Sequence, residues 1–212
     1  MPVHIDSIER ELDSSTVAPL AFKLLAKAQT MGFMPSGASE RVKLNRRLLV
    51  RIAHVLESDG VAIESGARLR QLSAGRSEDE AEGTAEWERA LQEILEAVAA
   101  SPRPHGEWQP ARDLLGDELL ARVLGGISIS SLRRYAAGTR TTPDDIAWRL
   151  HVVATVLSSI LGSYNDYGVR RWFDRRRSRL NGATPAEAIA QAQNESDELL
   201  QTTLALADQL TG

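Results

Sequence analysis

Ile127-Ser-Ile-Ser-Ser-Leu-Arg-Arg-Tyr-Ala-Ala-Gly-Thr-Arg140 lies between two apolar-periodic runs and reads as the second half of a helix-turn-helix. A short helix opens at Asp117 (Asp-Glu-Leu-Leu-Ala-Arg-Val-Leu) and is broken by Gly125-Gly126. Ser128 or Ser130 then caps a new helix, its hydroxyl accepting from the first free backbone amides. In that second helix Ile129, Leu132 and Ala136 fall at helical spacing and are expected to pack inward. Ser130, Ser131, Arg133, Arg134 and, past the end, Arg140 are expected to point outward, with no acidic residue among them. An exposed, acid-free helix with small polar residues first and arginines after is what a DNA major groove admits.

Outward from this segment the chain reads as helices separated by punctuation, with no alternating strand pattern and no internal repeat. Towards the N-terminus, a helix from Ser14 or Ser15 carries Val17, Leu20, Leu24, Leu25 and Ala28. A second, capped at Ser39, carries Leu44, Leu48, Ile52 and Val55, and a shorter one spans Val61 to Leu72. Ser73-Ala-Gly-Arg-Ser-Glu-Asp-Glu80 is the most linker-like passage and leads into an acidic helix with Trp87, Leu91, Ile94, Leu95 and Val98 at core spacing. Ser101-Pro-Arg-Pro-His-Gly106 cannot continue a helix, because its prolines remove donors and bias their neighbours to extended geometry. Towards the C-terminus, Thr142-Pro-Asp-Asp145 opens a long helix through Ile146, Leu150, Val153, Leu157 and Ile160. An arginine-rich helix near Tyr167 to Leu180 follows, then one starting at Thr184-Pro185 and a last one from about Asn194 to Leu210. The expected fold is all-α, in four regions: an N-terminal helical region (1–73), an acidic helix and linker (74–104), a Cro-like helix-turn-helix (105–165) and a small C-terminal helical domain (166–212).

Composition narrows the function classes. With no cysteine there is no disulfide, no thiolate catalysis and no cysteine-based zinc site, and His4, His54, His105 and His151 have no ligand spacing. No metal site and no cofactor is expected. No apolar run is long enough to span a bilayer and the start lacks a signal peptide, so a cytoplasmic protein with no membrane association is expected. No phosphate loop, nucleophile elbow or histidine–carboxylate pair at helical spacing is present, so the chain does not read as an enzyme. The net charge of −4 argues against nucleic acid only globally, because the charges are sorted. Glu78 to Glu96 is acidic, Ile127 to Arg140 has three arginines and no acid, and Val169 to Leu180 has Arg170, Arg171, Arg175, Arg176, Arg177 and Arg179 against Asp174 alone.

Four pieces in order, Gly126 to Arg140, Asp144-Asp-Ile-Ala-Trp-Arg-Leu-His151, Val169-Arg-Arg-Trp-Phe173 and Leu180-Asn-Gly-Ala-Thr-Pro-Ala-Glu-Ala188, resemble the Xre/MbcA/ParS-like antitoxins. The resemblance covers the second half of the chain, from about Trp108. In that family a Cro-like helix-turn-helix is followed by a toxin-binding domain marked by a tryptophan helix and Leu-x-Gly-x-x-Pro, here Trp172 and Leu180 to Pro185. Phe173-Asp-Arg-Arg-Arg177 departs from the family's usual leucine and short apolar turn. The resemblance implies an antitoxin that occludes a RES-type toxin, a class that depletes nicotinamide dinucleotide, and that represses its own operon.

For DNA, Ser130, Ser131 and Arg134 are the base-edge candidates, Arg133 suits either base or phosphate, Thr139 and Arg140 suit phosphates, and Tyr135 completes the set. For a partner protein the candidates are Arg170, Arg171, Trp172, Phe173, Arg175, Arg176, Leu180 and Pro185, since tryptophan and arginine together compose interface anchors. The same arginines could instead touch phosphate, or pair with the acidic helix. Tryptophans 87 and 108 read as core, Trp172 and Phe173 more often as core than as contact residues, Trp148 and Tyr164 likewise, and His151 and His54 as structural histidines. The leading expectation is an antitoxin-like, homo-oligomeric transcriptional repressor that binds double-stranded DNA and a RES-type toxin. A helix-turn-helix or nucleoid-associated DNA-binding protein without a toxin, and a protein-binding adaptor without DNA, are the alternatives.

Overall fold

The computed structural model describes residues 4–34, 41–75 and 80–210. They are predominantly α-helical, as the sequence leads one to expect, and no helix among them is long and apolar enough to cross a membrane. The chain divides into two compact units, one of Met1–Gln29 and Phe33–Ser101, the other of Thr30–Gly32 and Pro102–Gly212. The long stretch of the second unit opens at Pro102, inside the proline-bearing segment, where the preceding helix has stopped; the last three residues of that segment, Pro104 to Gly106, begin the next helix.

The first unit departs from the expected all-helical pattern. Strand β1 (His4–Ile8) pairs in parallel with β2 (Arg41–Leu44), Ile8 opposite Leu44 and an irregularity between Ile5 and Ser7. These strands are too short for an alternation to stand out, and each needs a partner far away in the chain. Helix α1 (Val17–Thr30) starts where the Ser14 hydroxyl accepts from the Val17 amide. Helix α2 (Arg46–Ser58) does not begin at Ser39, which lies outside the described residues; Asn45 caps it by accepting from the Leu48 amide at 2.9 Å. Glu9 ties the end of β1 to that cap, its carboxylate accepting from the Arg46 amide at 2.7 Å and from Arg46 Nε at 3.2 Å. Helices α3 (Ile63–Ala74) and α4 (Glu80–Ala99) continue the unit, and the core includes Leu49, Ile52, Leu56, Leu69, Trp87, Leu91 and Ile94. The acidic helix is partly neutralised within its own unit, because Glu93 accepts from Arg68 at 2.9 Å. His54, expected to be structural, is exposed.

The second unit joins α5 (Pro104–Val123), α6 (Ile129–Ala136), α7 (Asp144–Ile160), α8 (Asp166–Asp174), a 3-10 turn (Ser178–Leu180), α9 (Pro185–Gln191) and α10 (Glu198–Asp208). Residues 105–165 and 166–212, read from sequence as separate domains, share a single core: Trp108, Leu120, Leu132 and Leu157 belong to one cluster with Trp172, Phe173, Ile189 and Leu200. Helix α5 is two helices across a break at Gly116, whose φ of 78° and ψ of 160° lie where residues other than glycine are strained. Helix α9 opens with a reciprocal capping box: the Glu187 amide donates to Thr184 Oγ1 and the Thr184 amide to the Glu187 carboxylate, with Pro185 in the first turn. The backbone donation from Thr184 holds the Glu187 carboxyl below its ordinary value.

Asn45→Ala removes the α2 cap and is expected to lower the unfolding free energy by about 1 kcal/mol. The effect should appear as a lower urea midpoint with an unchanged m-value.

Candidate nucleic-acid interface

Helix α6 follows a turn built on Gly125 and Gly126, with φ of 90° and 78°, and is capped by Ser128, whose Oγ accepts from the Ser131 amide at 3.1 Å. The same hydroxyl lies 3.0 Å from Ser131 Oγ. The inward face differs from the sequence expectation. Leu132 is buried and Ala136 half-buried against the same core, as expected, but Tyr135 joins them and Ile129 is 37% exposed. Tyr135, a candidate DNA contact, stacks on Trp108 with ring centroids 6.1 Å apart and is 7% exposed, so it belongs to the core more than to the outer face. Trp108 Nε1 in turn donates to Thr142 Oγ1 at 3.1 Å, which ties α5 to the approach of α7. Position 135 lies three residues after Leu132 on the same helix face, and there its ring finds the buried Trp108 to stack on.

The outward face carries Ser130, Arg133 and Arg134, with Ile129 beside them and Ser131 half-buried. Past the helix, Thr139 Oγ1 and the amides of Thr139 and Arg140 all donate to the Arg134 carbonyl, closing the C-terminal turn. The Arg140 guanidinium lies 5.3 Å from the Tyr135 ring centroid, a cation–π distance. Arg134 has no side-chain partner among the described residues. Arg133 does, and the partner comes from outside the acid-free segment: its Nε donates to Asp117 Oδ2 at 2.7 Å. The other carboxylate oxygen of Asp117 accepts from Arg112 Nε at 2.8 Å. These two hydrogen bonds, Arg112 first, hold the Asp117 carboxyl below the ordinary carboxylate range.

The second arginine segment does not form the open positive patch that its composition suggests. Arg170 Nε donates to the Leu114 carbonyl at 2.8 Å and its terminal nitrogen to the Asp113 carbonyl at 3.5 Å, supplying donors to the last turn of α5 before the Gly116 break. Arg176 donates to the Gly182 carbonyl, Arg179 to Gln209, and Asp174 is taken by Arg122 at 2.7 Å. Arg177 covers the Trp172 ring at 4.8 Å, and burial lowers its pKa. Trp172, Phe173, Leu180 and Pro185 are buried, and Trp172 meets Phe173 edge to face. Of the partner candidates these four are core rather than contact surface. Arg170, Arg176 and Arg179 stay exposed beside these contacts. A further exposed stripe is made of Tyr167 and Arg171, one turn apart on α8, and of Arg175 just past its end, where the backbone is extended; Tyr167 is 66% exposed and Arg171 donates to its hydroxyl. Tyr164, expected in the core, is 37% exposed, and Trp148 is half-buried beneath Arg149.

Sequence reasoning missed Asp117, Arg112 and Tyr167. A signal for the first existed: Asp117 directly follows Gly116 and opens the helix before the turn. His151 is a structural histidine, its Nδ1 2.5 Å from the fully buried Glu107. Among the described residues no group of three side chains is placed to hold a metal ion. Comparison with protein-family models, with curated proteins and with solved structures finds no match.

Because the folded-state value of Asp117 is lowered, its pairing stabilises the fold above the unfolded carboxylate value of about 4 and loses that effect as pH falls through the folded value. The stability difference between the wild type and Asp117→Asn, from urea unfolding, should be flat near neutrality and shrink on acidification below that range. For Trp172→Ala, a core truncation, the expected loss is about 3–5 kcal/mol in unfolding free energy. Arg171→Ala, on the exposed stripe, should stay within about 0.5 kcal/mol of wild type in the same measurement.

Proposed function

We propose that this protein is a double-stranded-DNA-binding transcription regulator of the antitoxin type, which reads its site with α6. The observation that carries the reading is the outer face of α6. It offers Ser130, Arg134 and Arg140 with no carboxylate on the helix itself, and Asp117, which reaches it from α5, is turned to the Nε of Arg133. A short helix after a glycine turn, small and polar at its start and cationic after, fits a major groove. Ile129 adds an apolar side chain suited to a thymine methyl. In this reading Ser130 and Arg134 meet base edges, Arg133 and Arg140 meet phosphates, and two copies of the chain on a palindromic site supply two recognition helices.

The toxin-binding half of the proposal rests on the resemblance of Trp172 and Leu180 to Pro185 to the antitoxin family. With those side chains in the core, the contact with a RES-type toxin is assigned to the surface they support, the Tyr167, Arg171 and Arg175 stripe. Repression of its own operon and burial of the toxin are then separate tasks of separate faces of one unit.

Duplexes selected from a random-sequence pool by the wild-type protein provide the test. Arg134→Ala should cost about 1–3 kcal/mol on the selected duplex and much less on a scrambled one, and Arg140→Ala should weaken both alike. Equal losses on both duplexes for both variants would remove base reading. Selection of nothing, with no binding to either duplex, would leave the adaptor reading in its place.

A further inference from the structure

We infer that Asp117 is a positioning residue for DNA contact: it anchors the Nε edge of Arg133 so that the two terminal nitrogens of the guanidinium are presented outward, ready for a phosphate. The inference rests on the proposed DNA-reading role of α6.

The geometry supports this on three counts. First, the bond is specific. Arg133 Nε donates to Asp117 Oδ2 at 2.7 Å, while the Arg133 side chain as a whole stays 66% exposed. A guanidinium has five donors in a fixed fork, and using the Nε donor leaves the four on the terminal nitrogens free. Second, the acceptor is itself fixed. Asp117 is 17% exposed, sits directly after the Gly116 break, and its other oxygen is held by Arg112 Nε at 2.8 Å. Third, the orienting acid lies on α5 and its arginine on α6, so the contact spans the turn and holds the recognition helix to the helix before it.

A simpler view treats Asp117 as an ordinary negative charge beside a DNA-binding face. The two views predict opposite signs. If only net charge matters, removing the carboxylate raises affinity for a polyanion. If the carboxylate orders Arg133 in advance, removing it lets a long side chain regain its rotamers, which must be lost again on binding.

Full-length protein and a fluorescently labelled duplex, selected by the wild type from a random pool, give the measurement by anisotropy over a range of salt. Asp117→Ala is expected to weaken binding roughly two- to tenfold, the range set by ordering one such side chain. Arg133→Ala is expected to weaken it about tenfold or more and to reduce the salt slope by about one phosphate contact. In the Arg133→Ala background, Asp117→Ala should weaken binding no further. Thermal unfolding by circular dichroism accompanies each variant, and Arg133→Lys provides a second route that leaves Asp117 in place. Lysine keeps the charge but has no Nε edge for the carboxylate to hold, so its affinity should fall towards that of Arg133→Ala. Wild-type or tighter binding by Asp117→Ala, full retention by Arg133→Lys, or additive losses in the double variant would each overturn the inference. Absence of wild-type binding to any duplex would instead overturn the DNA reading itself.

Discussion

The outward chemistry of the C-terminal unit depends on the backbone break at Gly116. Arg112 and Asp117 are five residues apart, which in an uninterrupted helix places them about 140° apart around the axis, out of each other's reach. With Gly116 at φ 78° and ψ 160° the helix restarts in a new direction, and the two side chains meet at 2.8 Å. The same restart places Asp117 within reach of Arg133 on α6. No Cβ would clash at Gly116, since nothing lies within 4 Å of where it would be. The requirement there is conformational, not spatial.

A helix broken in its middle also leaves backbone groups without intrahelical partners. The carbonyls of Asp113 and Leu114 belong to the last turn before the break, and Arg170 of α8 supplies donors to both. That is why a run of arginines that looks like a ligand surface in one dimension is largely structural in three. Arg176 serves the Gly182 carbonyl and Arg149 the Ala192 carbonyl at the end of α9, in the same manner. Guanidinium groups suit this work because they offer several donors at the end of a long stem and keep their charge.

Much of the helical plan was legible because its signals are local. The Gly125–Gly126 turn, the Ser128 cap and the Thr184–Pro185 start each depend on residues within one turn of helix. The β1–β2 pairing was not legible, since His4 to Ile8 finds its partner at Arg41 to Leu44, and a strand this short has no periodicity of its own. Tyr135 and Ile129 exchanged their expected places for a related reason. Periodicity gives the inward stripe only to within a residue on a helix as short as α6, and Trp108, distant in sequence, provides the aromatic surface that draws Tyr135 in. Arginine partners were the least legible feature, because backbone carbonyls are invisible to any count of acidic residues.

The balance of charge follows from the same distinction between local and global. At physiological ionic strength exposed charges more than about 8 Å apart are largely screened, so the chain's net −4 says little about any one face. The exposed cationic groups at α6 and the turn after it are Arg133, Arg134 and Arg140. Asp117 is engaged by two guanidinium groups and, with its pKa lowered, stays ionised where a free carboxyl would begin to take up protons. The three groups together carry a single net positive charge, with the negative centre on the inner side. An arrangement of that kind gives up some attraction at long range and gains a defined direction at short range, and direction is what separates reading a site from adhering to a charged rod.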